Sequence, residues 1–463
     1  MSLRMADGHR IIEEAQQQAP GNLMAIYVAN YEDCIALLLN GSEKEYTARL
    51  AKMDARISAL DQGPESSPWH RLCKAGIYLH RTLVNMRFGA SYKAAIDFKH
   101  SYSLLRENQR LFPSFSYNQV FAGIEEAVVG SLPSGYRSIA AVLGIRGNIH
   151  HGVSMLSAFL QAHTSSDPLY EEALLYYQYA RFYFQNEQQE VWNFVNSSSF
   201  NTGSLMHLFV NANIGLDFRK ADEVFKSLSA AGHTPLLAEL PVFDYQQAMA
   251  LTYRLDTGAT WYFRQYTDRT KSSNFIKDAW QKSAFVWYVN GNKAKAEACR
   301  ARIKQAGVAR LDVDKQAQRF AEAGQWPDAR LLRVRLLTDG GYNARALAEL
   351  NAIQPAQLNA EADRAEYYYR LGRVYQELAE TGIPKEYTQP ALANYRLAIQ
   401  QGKDRHEQFA ARAALQMGKM YEHLGMGPDA MRSYHECLGM PAHDFQNSID
   451  QQAKAGINRI GGN

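Results

Sequence analysis

Proline is scarce in this chain, at 14 of 463 residues. Proline removes a backbone donor and collides with the preceding helical turn, so its rarity leaves room for uninterrupted helices. An excess of one charge is absent as well. Lys and Arg number 50 against 47 Asp and Glu, a formal net charge of +3, which gives no field strong enough to drive nucleic-acid binding. The four cysteines, Cys34, Cys73, Cys299 and Cys437, lie far apart with no CxxC or zinc-type spacing, and read as partly buried free thiols. Long hydrophobic runs are missing. The longest purely apolar run in mid-chain, Ile139 to Ile145, already contains Gly144, and nothing approaches the roughly 20 apolar residues that span a bilayer. No transmembrane segment is therefore expected. Period-two alternation is nearly absent, so strands are not expected. No apolar signal region opens the chain. Met1-Ser2-Leu3 ahead of Ala6-Asp7-Gly8 reads as a cloning leader. The compartment stays open: cytoplasmic, or periplasmic or cell-envelope if a signal peptide has been removed.

What is present points to a folded, helical chain. Hydrophobic residues make up 46% and charged residues 21%, which excludes a disordered tail too polar to bury a core. Length alone suggests roughly three domains. Helical periodicity runs nearly throughout, and breakers such as Gly41-Ser42, Gly63-Pro64, Pro113-Ser114 and Gly340-Gly341 cut it into helices of about 12 to 20 residues joined by short turns. The 27 tyrosines fit the half-buried faces of helix packed on helix. The expected fold is all-α, a superhelix of stacked antiparallel helical hairpins.

The hairpins repeat. A small residue, an aromatic four later and a small or apolar residue three beyond recur at Ala94/Phe98/Ser101, Ala221/Phe225/Leu228, Ala391/Tyr395/Ala398 and Ala430/Tyr434/Cys437. Two copies carry Arg at the aromatic place: Ala296/Arg300/Ile303 and Ala329/Arg333/Leu336. Small positions let two helices approach and the ring fills the groove between them. First helices match in Tyr368/Leu371/Gly372/Tyr375 and Met417/Gly418/Tyr421. This pattern resembles the tetratricopeptide repeat of about 34 residues, a TPR-like α-solenoid, most clearly over 365–440. The boundaries expected are 1–115 for N-terminal hairpins, 116–165 for an apolar helical insert, 166–310 for central repeats and 311–463 for C-terminal repeats, all in one continuous superhelix.

Residues 120–160 depart from that pattern. The spacing Pro133, Gly144, Gly147, Asn148, Gly152 resembles a signature of the eukaryotic inclusion-body clearance family of tetratricopeptide proteins, some of them at the outer mitochondrial membrane. Phe200-Asn201-Thr202-Gly203-Ser204 is similar to that family's Asn-Gly-Ser turn. The resemblance implies a bacterial relative and a helical-repeat adaptor without catalytic residues. Read physically, Gly144 and Gly147 permit a tight connection, and Asn148 is placed to cap a helix starting at Ile149. Ile139, Val142 and Leu143 are expected to be buried along the axis of the superhelix. The alternative is a lipid- or membrane-surface contact through 120–160.

Signatures of chemistry are missing. No phosphate-binding glycine loop, nucleophile elbow or zinc helix occurs, and adjacent His150 and His151 point about 100° apart on a helix. No cofactor, no metal and no enzymatic activity are expected. Tyr176, Tyr179 and Tyr183 crowd one helix, and Asn193, Asn211 and Asn213 follow. Tyr supplies rigid contact area with a hydroxyl, and Asn can bond a peptide backbone. These six are the candidate lining of a concave groove for a protein or peptide partner. The basic stretch Arg300 to Arg345, laced with acids, reads as a solvated ion-paired face, with capture of an acidic peptide or C-terminal carboxylate as a minor reading.

Overall fold

A computed structural model describes residues 3–461 except 133, 199, 201–202, 233, 359 and 382–383. Among the described residues the regular structure is helical throughout, with no strand. Successive helices pair as antiparallel hairpins, for instance Pro68–Arg87 with Ser91–Leu111, Ile276–Val289 with Lys293–Gln305, and Glu361–Thr381 with Pro384–Gly402. First helices of neighbouring hairpins touch along the inside: Leu205–Asp217 meets Val242–Tyr253, which meets Ile276–Val289, which meets Ala329–Asp339. This is a TPR-like α-solenoid. Its surface of 21607 Å² exceeds by about a quarter the roughly 17,500 Å² of a compact globule of this mass, as expected of a coil with an inner wall.

The repeat residues do the packing assigned to them. Ala391, Tyr395 and Ala398, and likewise Ala430, Tyr434 and Cys437, are wholly buried. A β-carbon at Gly372 would lie 2.5 Å from the Tyr395 ring, and one at Gly418 would collide with Tyr434. Each glycine makes room for the aromatic of the next helix. Local signals start the helices: Ser42 and Glu45 form a reciprocal capping box (3.2 and 3.0 Å), and Asp328 accepts from the Arg330 and Leu331 amides. Helix Leu23–Asn40 matches a membrane span in length and hydropathy. Here it is a stack helix, packed on Pro68–Arg87, with Asp33 ion-paired to Arg49 and Arg56.

The coil turns back on itself. Asn40 Oδ1 accepts from Thr270 Oγ1 (2.9 Å) and the Lys271 amide (2.7 Å), about half the chain away. Arg310 pairs with Glu43 (2.7 Å) and Lys271 with Glu45 (3.0 Å). A second seam joins the Ala221 amide to the Gly340 carbonyl (3.3 Å) and Arg219 to Glu377.

Residues 118–162 form a hairpin of their own, Asn118–Ser131 against Ile149–Ala162. Gly123 and Gly152 lie at the crossing, where a β-carbon on either would strike the other's carbonyl oxygen. Asn148 caps the second helix through the His151 amide (3.0 Å), Gly144 adopts φ +78, and Gly147 lies against the Glu126 carbonyl. Pro133, Asn201 and Thr202 lie outside the described residues. One expectation is overturned. Tyr136 (66%), Ile139 (61%), Val142 (87%) and Leu143 (53%) are exposed, because the short helix Ser134–Val142 is extruded into the connection instead of entering the axis.

Candidate functional site

The inner helices line a cavity of about 620 Å³. Leu38 and Leu39 line it from the first hairpin, Arg87 from the second, and Phe209, Asn213 and Asp217 from the helix Leu205–Asp217. Tyr245, Gln246, Met249 and Tyr253 come from Val242–Tyr253, and Asp278, Lys282 and Phe285 from Ile276–Val289. Val313, Gln316, Arg335 and Asp339 complete the wall. The volume falls within the about 300–1,000 Å³ of ordinary ligand sites, and the mix of aromatic walls with a few polar groups is also typical of them.

The polar groups form fixed chains. Gln246 Nε2 donates to the Phe209 carbonyl and to Asn213 Oδ1 (both 3.2 Å), and Asn213 Nδ2 donates to the Tyr179 hydroxyl (3.4 Å). Gln246 Oε1 is left buried without a partner. The Tyr245 hydroxyl donates to Asp278 (2.6 Å), which also takes Lys282 (3.0 Å). Burial, then the nearby Asp278 charge, pushes the Tyr245 hydroxyl well up. It is a donor at any working pH. Burial also raises the Asp217 carboxyl, against the bond from the Tyr183 hydroxyl, which lowers it.

Of the six expected groove residues, Asn213 lines the cavity. Tyr179 and Tyr183 adjoin it through Asn213 and Asp217, their rings stacked at 5.7 Å. The other three are not brought there. Asn193 is exposed and bonded to Gln189. Asn211 is buried, donating to the Val195 carbonyl (3.1 Å). Tyr176 donates to Glu172 (2.6 Å). Of the cations in the basic stretch 300–345, Arg335 alone among the described residues reaches the wall.

Glu172 anchors a second polar cluster that sequence reasoning did not single out. It is buried and also receives the Tyr27 hydroxyl and His80 Nε2 (3.0 Å). Asn30 Nδ2 lies 3.0 Å from His80 Nδ1, which holds the ring in place. Nothing in the local sequence around His80, a lone histidine in a helical pattern, marks it. None of the four lines the cavity; the arrangement ties together the three helices that carry them. The thiols are equally remote: all four are buried and free, with burial raising Cys73 and Cys437 to about 12 and Cys299 to about 11. Among the described residues no group of three or more His, Cys, Asp or Glu is placed to hold a metal ion.

No protein-family model matches the chain, and no curated protein matches it. Solved structures are similar in helical-hairpin architecture. The TPR domain of P58(IPK) is 13% identical, covering 90% of this chain and 93% of that one, with a TM-score of 0.22. Cut9–Hcn1 of the APC/C hetero-tetramer is 11% identical, covering 97% and 92%, at 0.28. Yeast Tom70 is 12% identical, covering 92% and 95%, at 0.26. These likenesses assign no activity to the chain, whose architecture is that of a TPR-like helical-repeat solenoid.

Proposed function

We propose that this chain is a non-catalytic TPR-like scaffold that binds a protein or peptide partner in the axial cavity on its concave face. One observation carries the reading. The cavity gathers half-buried aromatic and aliphatic side chains with polar groups already fixed by hydrogen bonds, while the thiols and the buried His–Glu pair lie elsewhere. The test is photo-crosslinking in native extract. A benzophenone residue at Val313, in the wall, should capture a partner; one at exposed Lys99 should not. Val313→Trp, which narrows the cavity, should weaken capture of that partner. Capture from Lys99 with none from Val313 would sink the concave reading.

The exposed face of Ser134–Val142 favours a second reading, contact with a lipid surface. Arg137 and Arg146, both exposed, flank the apolar side chains, as an interfacial helix requires, though two cations are few. Co-sedimentation with phosphatidylglycerol vesicles, lost in Val142→Asp/Leu143→Asp, would support it; equal sedimentation of both proteins would remove it.

A further inference from the structure

The C-terminal helices gather cations that the chain does not neutralise. Glu361–Thr381, Phe409–His423 and Gln446–Gly461 lie side by side. Arg373 comes from the first, Arg412 and Lys419 from the second, and Arg459 from the third. All three guanidinium charges act on the Lys419 amine. The carboxylates around them are already committed. Glu377 takes both Arg373 (2.6 Å) and Arg219. Glu380, which acts on Arg373, accepts from Gln376 (2.9 Å). Glu422 takes Arg459 through both oxygens (2.7 and 2.9 Å) and the Tyr434 hydroxyl (2.6 Å). The remaining partners are neutral amides. Gln416 Oε1 accepts from Arg373 (3.1 Å), Gln408 Oε1 from Arg412 Nε, and Gln452 Oε1 from Lys419 Nζ (2.8 Å). Among the described residues Lys419 and Arg412 make no ion pair, and the two Nη groups of Arg412 have no hydrogen-bond acceptor.

An amine in such company gives up its proton early. Burial, then the charges of Arg373, Arg459 and Arg412, pushes the Lys419 ammonium from the ordinary 10.5 down to about 8. About half of the amines are then neutral at pH 8, against about 0.3% for a lysine at its ordinary value. A neutral, half-buried amine is a nucleophile, and the guanidinia beside it favour an electrophile whose adduct is an anion. An acyl donor would leave a neutral amide and the cations unbalanced. Carbon dioxide leaves a carboxylate. We propose that Lys419 is a carbon dioxide acceptor, its Nζ carried as a carbamate seated against the Arg412 guanidinium within the field of Arg373. The nitrogen lone pair forms the N–C bond, one C=O π pair becomes the charge on oxygen, and one amine proton leaves to solvent. The N–H that remains keeps its bond to Gln452 Oε1. A cation thereby becomes an anion inside a positive cluster, so the adduct ties together the three helices that supply it. Lys419 lies apart from the cavity wall, and its chemistry holds whether or not a partner occupies that cavity.

The test equilibrates the full chain with carbon-13 bicarbonate at pH 8 and reads carbamate carbons by carbon-13 NMR. The α-amino group also forms a carbamate, so Lys419→Arg and Lys419→Met supply the reference, with circular dichroism to confirm that they stay folded. The wild-type chain should show one carbamate signal more than either variant. Trapping with triethyloxonium and peptide mass spectrometry should place the ethyl carbamate on Lys419. Arg412→Gln removes one neighbouring charge and the seat of the anion, and should lower the extra signal about threefold or more. The signal should fade as pH falls towards 6, where the amine is protonated. Bicarbonate should also raise the urea midpoint of the C-terminal hairpins in the wild-type chain and not in Lys419→Met. Equal signals in the wild-type chain and both Lys419 variants overturn the proposal. So does an extra signal that Arg412→Gln leaves undiminished.

Discussion

Glu125 is buried with one carboxylate oxygen unpartnered, and the Ser101 hydroxyl beside it donates to the Ala75 carbonyl (2.8 Å). Burial raises its carboxyl from the ordinary 4.5 to about 8. Between those values the folded chain holds a proton that the unfolded chain has released, so stability falls as pH climbs through that window. Glu125→Gln should flatten this dependence. Its advantage over the wild-type chain in thermal melts should be largest above pH 8 and fade towards pH 5; equal pH profiles would show that Glu125 is relieved by some other contact. Glu172 is a different case, a buried carboxylate with three donors. His80→Ala removes one donor and opens a void among the helices Leu23–Asn40, Pro68–Arg87 and Tyr170–Ala180. About 3 kcal/mol of local stability should be lost, read as lowered hydrogen-exchange protection over 23–180. Neither site is legible from sequence. Glu125-Glu126 and Glu171-Glu172 look like ordinary adjacent acids, and only the fold decides that both of the first pair and Glu172 of the second are buried.

At the scale of the helix, the tetratricopeptide pattern is legible because it is local. Gly418 and Tyr434 are 16 residues apart, and their contact follows once the hairpin closes. Gly418→Ala should strain the Tyr434 ring and cost about 1–3 kcal/mol, seen as an earlier urea transition of the C-terminal hairpins; Gly425→Ala, with open space but φ +72, should instead cost through the backbone. The helix Ser134–Val142 shows where such reading fails. Apolar composition suggested burial, but a connection between two helices locked at Gly123 and Gly152 has no interior left to enter. The tyrosine helix shows a subtler limit. Tyr176, Tyr179 and Tyr183 are separated by three and four residues, yet they divide between a sealed cluster and the cavity margin. Periodicity tells which residues share a face, and only the partners tell what that face meets.

The cavity belongs to the whole molecule. Arg87 and Tyr253 lie 166 residues apart, and no repeat pattern connects them. What brings them together is the return of the coil at Asn40, Glu43 and Arg310. Those seam contacts are few and partly exposed, worth about 0.5–1.5 kcal/mol per hydrogen bond and less per surface ion pair. Asn40→Ala/Arg310→Ala should therefore widen the coil without unfolding it. Small-angle scattering should show a radius of gyration further above the about 23 Å of a compact chain of this length, at unchanged helicity. An unchanged radius would mean that the hairpin stack alone sets the curvature.

The strengths of hairpins and seams are unequal, and that has a mechanical consequence. The C-terminal hairpins are cemented by rings set into glycine and alanine notches, while neighbouring turns are joined by a handful of polar contacts. Tension applied to the chain ends would part the turns long before it unravelled a helix. The walls around Arg87 would then separate while every secondary element survived. Such a site exists only in the slack molecule, and a ligand bridging its walls would act as a clasp that stiffens the spring.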